Sequence, residues 1–98
     1  MEPIRFEWDP AKARANLAKH GISFEEAETV FSDESARVRP DPDHSEGEDR
    51  FLLLGLSAAL RVLLVVHCLE EGGGVIRIVS ARKATRAERA QYGTREKR

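Results

Sequence analysis

The chain is poor in the residues that cross-link, anchor or span. One cysteine, Cys68, among 98 residues cannot close an internal disulfide, which points to a reducing compartment. The N-terminus has no apolar stretch of the secretory-signal kind, and the longest apolar run, Val62 to Val66, is far too short to cross a bilayer. A cytoplasmic setting without a membrane partner is therefore expected. Histidines are few. His44, His67 and Cys68 lack zinc-type spacing, and the acidic stretch Asp41-Pro42-Asp43-His44-Ser45-Glu46-Gly47-Glu48 fails as a calcium loop. Counted from Asp41, Glu46 falls where glycine is needed and Leu52 where a bidentate glutamate is needed. There is no G-x-S-x-G elbow and no Walker loop, and Gly72 to Gly74 join strands without opening a helix. No metal and no cofactor is expected.

What the chain does have is charge, unevenly placed. The net charge is −1, yet Glu25 to Arg50 holds ten acids against three bases, and Arg82 to Arg98 holds seven bases against two acids. A basic C-terminal cluster attracts phosphate; its plainer reading is a solvated helix face with a frayed tail.

The local patterns describe one domain over 1–98 of class α+β. Asp9-Pro10 starts a helix that Gly21 ends after the basic pair Lys19 and His20. Ser23 with Glu26 is a capping box for a second helix carrying Phe24, Ala27, Val30 and Phe31 at helical spacing. A short strand is expected at 36–39, closed by Pro40. Runs at 50–56, 61–69 and 74–81, rich in branched residues and separated by short turns, form an antiparallel meander. Thr85 with Glu88 caps a last helix reaching about Tyr92, with 92–98 as a frayed tail. A helical hairpin, a four-stranded, mostly antiparallel sheet and a C-terminal helix result.

Strand starts and ends gather charge: Glu48 and Arg50, Arg61, Arg77, Arg82 and Lys83. An arginine within an alternating strand needs a carboxylate or phosphate partner, and a salt bridge to Glu48 would serve structure alone. The same set suits metal-free RNA cleavage, in which a 2′-hydroxyl attacks the adjacent phosphate. That reaction needs a base, cations for the added phosphate charge and an acid for the leaving oxygen. His20, beside Lys19, is the better-placed histidine; a lone strand histidine such as His67 is more often packed than catalytic.

Phe6-Glu7-Trp8-Asp9, Lys12, Asn16, Lys19-His20-Gly21-Ile22, Phe24, Glu26-Ala27 and Phe31, continued by Gly47-Glu48-Asp49-Arg50, Gly55, Arg61, Ile76 to Arg82, Glu88, Arg89 and Tyr92, resemble the BrnT toxin family over residues 4–92. The resemblance implies a RelE-like fold, a growth-inhibiting ribonuclease of a type II toxin-antitoxin system, and a DNA-binding antitoxin, BrnA, as partner. Two assemblies come into view, a toxin homodimer and a heterotetramer with the antitoxin. Carried onto this chain, the candidate catalytic residues are Glu48 as base, with Arg50, Arg82, Lys19 and His20, and the candidate RNA-binding residues are Arg61, Arg77 and Lys83. The alternative is a non-catalytic module that pairs with a partner in transcriptional autoregulation. Direct DNA binding through the last helix is disfavoured, since Glu88 interrupts its basic face and no helix-turn-helix spacing precedes it.

Overall fold

The computed structural model describes residues 4–42, 49–70 and 72–94. Five strands, β1 (Arg5–Glu7), β2 (Arg37–Pro40), β3 (Arg50–Leu56), β4 (Val62–Leu69) and β5 (Val75–Lys83), form one sheet in the order β1-β5-β4-β3-β2. Helices α1 (Pro10–His20) and α2 (Phe24–Thr29) lie between β1 and β2, and α3 (Arg86–Thr94) follows β5. The class is α+β, as expected, but the four-stranded antiparallel sheet is not what forms. β1 adds a fifth strand, parallel to β5, with Phe6 opposite Ile76 and Glu7 opposite Arg77. Three residues reading Arg-Phe-Glu are too short to show a period-two pattern, and the strand is held by its pairing to β5 and by Phe6 packing on Phe31 behind it. Boundaries also move: β2 runs from Arg37 through Pro40, which pairs with Phe51 instead of closing the strand, β5 continues to Lys83, and α3 runs two residues past Tyr92.

The first hairpin forms as its caps dictate. Asp9 accepts from the Ala11 N–H at 2.8 Å, and Gly21 ends α1 at φ 73° with its N–H on the Leu17 carbonyl. A positive φ of that size costs glycine least, since it has no Cβ. Ser23 accepts from the Glu26 N–H at 3.0 Å, and α2 runs out in a 3₁₀ turn, Val30–Ser32.

Strand alternation then sorts the sheet into two faces. On one, Leu53, Leu63, Val65, Ile78 and Ala81 pack beneath Ile22, Phe24, Ala27 and Val30 of the hairpin. On the other, Leu52, Leu54 and Leu64 pack with Ala84, Val66 and Tyr92 under α3. The hairpin is also pinned by one buried amide. Asn16 donates to the Ile22 carbonyl (2.9 Å) and the Ala81 carbonyl (2.8 Å) and accepts from the Ala81 N–H (3.1 Å). It thus meets β5 as a neighbouring strand would, just beyond the bulge at which the β4–β5 register shifts between Val66 and His67.

Asp33 performs a second junction. Its Oδ2 accepts from the Leu56 N–H and from the Tyr92 hydroxyl, both at 2.7 Å, joining β3 to the end of α3. Gly55 is required there, because a Cβ would stand 2.8 Å from both Ala36 Cβ and Val30 Cγ1.

Candidate functional site

The α3-facing side of the sheet is lined with arginines. Register places Arg37, Leu54, Leu64 and Arg82 in one row across β2, β3, β4 and β5. Arg39, Leu52, Val66 and Ser80 make the next, and Arg50, Cys68 and Arg77, continued by Glu7 on β1, make the third. Five guanidinium groups thus come from three strands, β2, β3 and β5, onto one face with an apolar floor. Nothing in the spacing of charge at strand ends singles out Arg37 and Arg39. The signal is their own spacing, since two arginines one residue apart in a strand share a face.

Each arginine but one is engaged. Arg82 donates through both terminal nitrogens to the Glu88 carboxylate, at 2.9 and 3.1 Å. This fork is the geometry in which a guanidinium also takes a phosphate. The Arg82 hydrogen bond, aided by the Thr85 N–H at 2.8 Å, brings the Glu88 carboxyl down to about 2. The partner Arg82 is raised in turn. Arg50 pairs with Asp41 at 3.3 Å and Arg77 with Glu70 at 3.3 Å, while Arg37 donates to the Gln91 carbonyl of α3 at 2.9 Å. The guanidinium of Arg39, exposed on β2, has neither an ion pair nor a hydrogen bond among the described residues.

The other sequence-derived candidates lie elsewhere. Arg61 sits at the hairpin side, where it forks onto the Glu26 carboxylate and reaches the Gly21 carbonyl. Ser57 donates to the same carboxylate at 2.7 Å. The Arg61 hydrogen bond foremost, then the Ser57 hydroxyl, hold the Glu26 carboxyl below its ordinary range against the opposing effect of burial, with a smaller contribution from the Lys83 charge. Arg61 therefore ties the start of β4 to α2. Lys83, opposite Leu63, belongs to this side too. Lys19 and His20 close α1 beside that carbonyl. The sequence-derived set is thus split between the two faces, with Arg50, Arg77 and Arg82 on one and Arg61, Lys83 and the α1 terminus on the other. Glu48, His44 and most of the 41–48 loop lie outside the described residues, as do Glu71 and the tail from 95.

His67 is a packed residue. It is buried on the hairpin side, edge-on to Phe31 with ring centroids 4.9 Å apart and stacked on Phe51 at 5.9 Å. Burial lowers its pKa.

A small α+β domain with a row-ordered arginine face offers guanidinium groups of the kind that can hold phosphate. The sequence matches the family model of the ribonuclease toxin BrnT of type II toxin-antitoxin systems over residues 8–88, and the chain belongs to that family. Its fold is similar to the crystal structure of the Brucella abortus ribonuclease toxin BrnT, with a TM-score of 0.62 at 26% identity, covering 88% of this chain and 100% of the other. Among curated protein sequences there is no match. No helix among the described residues is long and apolar enough to cross a membrane.

Proposed function

We propose that this chain is a metal-independent endoribonuclease, the toxin of a type II pair, which arrests growth by cutting RNA in the cytoplasm and is neutralised by a BrnA-like antitoxin. The observation that carries this is the α3-facing arginine row on a member of the BrnT family. Attack of a 2′-hydroxyl on the neighbouring phosphate adds charge to the non-bridging oxygens. Guanidinium groups fixed on a sheet face stabilise that charge without reorganising. In this reading Arg82, with Arg50 and Arg77, holds the reacting phosphate, and Glu48, two residues before Arg50, is the base. Lys19 and His20, on the other side of the sheet in their helix, assist only if the RNA wraps around the sheet end. Arg61 and Lys83 would then meet the same strand.

Local attraction replaces global attraction here, because the net charge of −1 gives no long-range pull on a polyanion. The test is induced expression in a bacterial host of the wild type and of Glu48→Gln, Arg50→Ala and Arg82→Ala, following growth and RNA integrity. Growth arrest with RNA cleavage, lost in the folded variants, supports the reading. Normal growth with intact RNA at high soluble expression favours instead a non-catalytic module that binds its partner in autoregulation.

A further inference from the structure

We infer that the groove between α3 and the sheet is a nucleotide subsite, with one RNA base on its leucine floor and the attached phosphate taking the place of Glu88 on Arg82. This inference rests on the ribonuclease reading for its choice of polymer, though its test does not. Between helix and sheet lies a half-open cavity of about 150 Å³, lined by Leu52, Leu54, Leu64, Arg37, Arg39, Glu88 and Gln91 together with Val38. That is below the roughly 300–1,000 Å³ of sites for drug-sized ligands, and leaves room for a single planar ring system.

Its chemistry is ordered by position. The floor is three buried leucines, a surface on which a base loses water without losing hydrogen bonds. The helix wall bears Glu88 and Gln91, three residues apart and so on the same side of α3, offering a carboxylate and an amide to a base edge. The outer rim bears Arg37 and Arg39 on β2. Arg39 is uncommitted among the described residues, and a free guanidinium is well suited to stacking on a base. Arg82 ends the row that Arg37 begins, so a phosphate site and an apolar slot adjoin each other, as base and phosphate do in a nucleotide. The cationic rim and the forked hold on Arg82 select an anion with a flat apolar portion over a neutral or cationic peptide.

Glu88 has a defined part in this. Its carboxylate occupies the two donors that a phosphate would use, so the substrate must displace it. Glutamine in its place keeps the capping box with Thr85 and removes the competing charge.

The experiment titrates the four nucleoside 3′-monophosphates and, separately, inorganic phosphate into isotopically labelled protein, following backbone amide shifts, with RNA cleavage assayed in parallel. Nucleotides should bind at least tenfold more tightly than inorganic phosphate and shift Leu52, Leu54, Leu64 and Gln91. Gln91→Trp, which fills the slot from the exposed surface of α3, should weaken nucleotides at least tenfold while leaving inorganic phosphate unchanged. Glu88→Gln should tighten both. Nucleotides no tighter than phosphate, shifts confined to other surfaces, or a folded Gln91→Trp that binds nucleotides normally would overturn the subsite. RNA cleavage without nucleotide in the groove would spare the ribonuclease reading and remove the subsite; nucleotide binding in the groove without RNA cleavage would do the reverse.

Discussion

Replacing Asn16 with alanine should be among the most damaging single changes available to this fold that leave the arginine face untouched. The side chain is buried and makes three hydrogen bonds, two to the Ala81 backbone and one to the Ile22 carbonyl. Alanine leaves one N–H and two carbonyl groups without it, and each buried group so orphaned costs about 1–3 kcal/mol. Water entering the vacated space recovers part of that. A net loss of about 3–5 kcal/mol follows, against a total of about 5–15 kcal/mol for a native domain. At about 4–8 °C per kcal/mol for a chain of this size, Tm should fall by about 12–40 °C. The assay is urea unfolding followed by the fluorescence of Trp8, the sole tryptophan, whose ring lies edge-on to Phe24 at 5.8 Å beneath the same hairpin. The midpoint should move at constant slope. Asn16→Asp, which keeps the acceptor for the Ala81 N–H and loses both donors, should also be strongly destabilised. A loss under about 1 kcal/mol for Asn16→Ala would refute the claim that this amide fixes the hairpin to β5.

Two further outcomes follow from the packing. Gly55→Ala forces a methyl to within 2.8 Å of Ala36 Cβ and Val30 Cγ1, and overpacking of this kind should cost about 1–3 kcal/mol, read in the same unfolding assay; an unchanged midpoint would contradict the close approach. His67 has its pKa lowered from 6.5 by burial, so the unfolded chain takes up a proton more readily than the folded one. Its contribution to stability is then present above pH 6.5 and lost as pH falls through that value toward the lower folded pKa. Unfolding midpoints measured from pH 7.5 to 5 should decline in the wild type and decline less in His67→Phe; equal slopes would exclude His67 as the cause.

Much of the architecture was legible because it is locally coded. The Asp9-Pro10 start, the Gly21 stop and the Ser23–Glu26 box act within a few residues, and all appear where the sequence puts them. β1 was not legible, since its strand partner is a parallel neighbour some seventy residues away. The site was legible in residue type and not in arrangement. Arg61 and Arg82 look alike in sequence, each a basic residue at a strand end, and only the folded structure shows them on opposite sides of the sheet with different carboxylates. The same lesson applies to the residues that carry the family resemblance. Asn16, Gly21 and Gly55 have structural work in caps, junctions and close approaches, whereas Arg50, Arg77 and Arg82 are the ones presented on the arginine face.

The measurement that bears most directly on that face is the cleavage of RNA, free and in a purified translation system, by wild-type protein and by Arg82→Ala, with a chelator present and the product ends mapped. Wild-type cleavage that leaves 2′,3′-cyclic phosphate and 5′-hydroxyl ends, fails on RNA lacking the 2′-hydroxyl at the cut site, and falls at least a hundredfold in a folded Arg82→Ala (about 2.7 kcal/mol of transition-state stabilisation) is the predicted result. Intact RNA under every condition, cleavage that the chelator abolishes, or full activity in Arg82→Ala would contradict it.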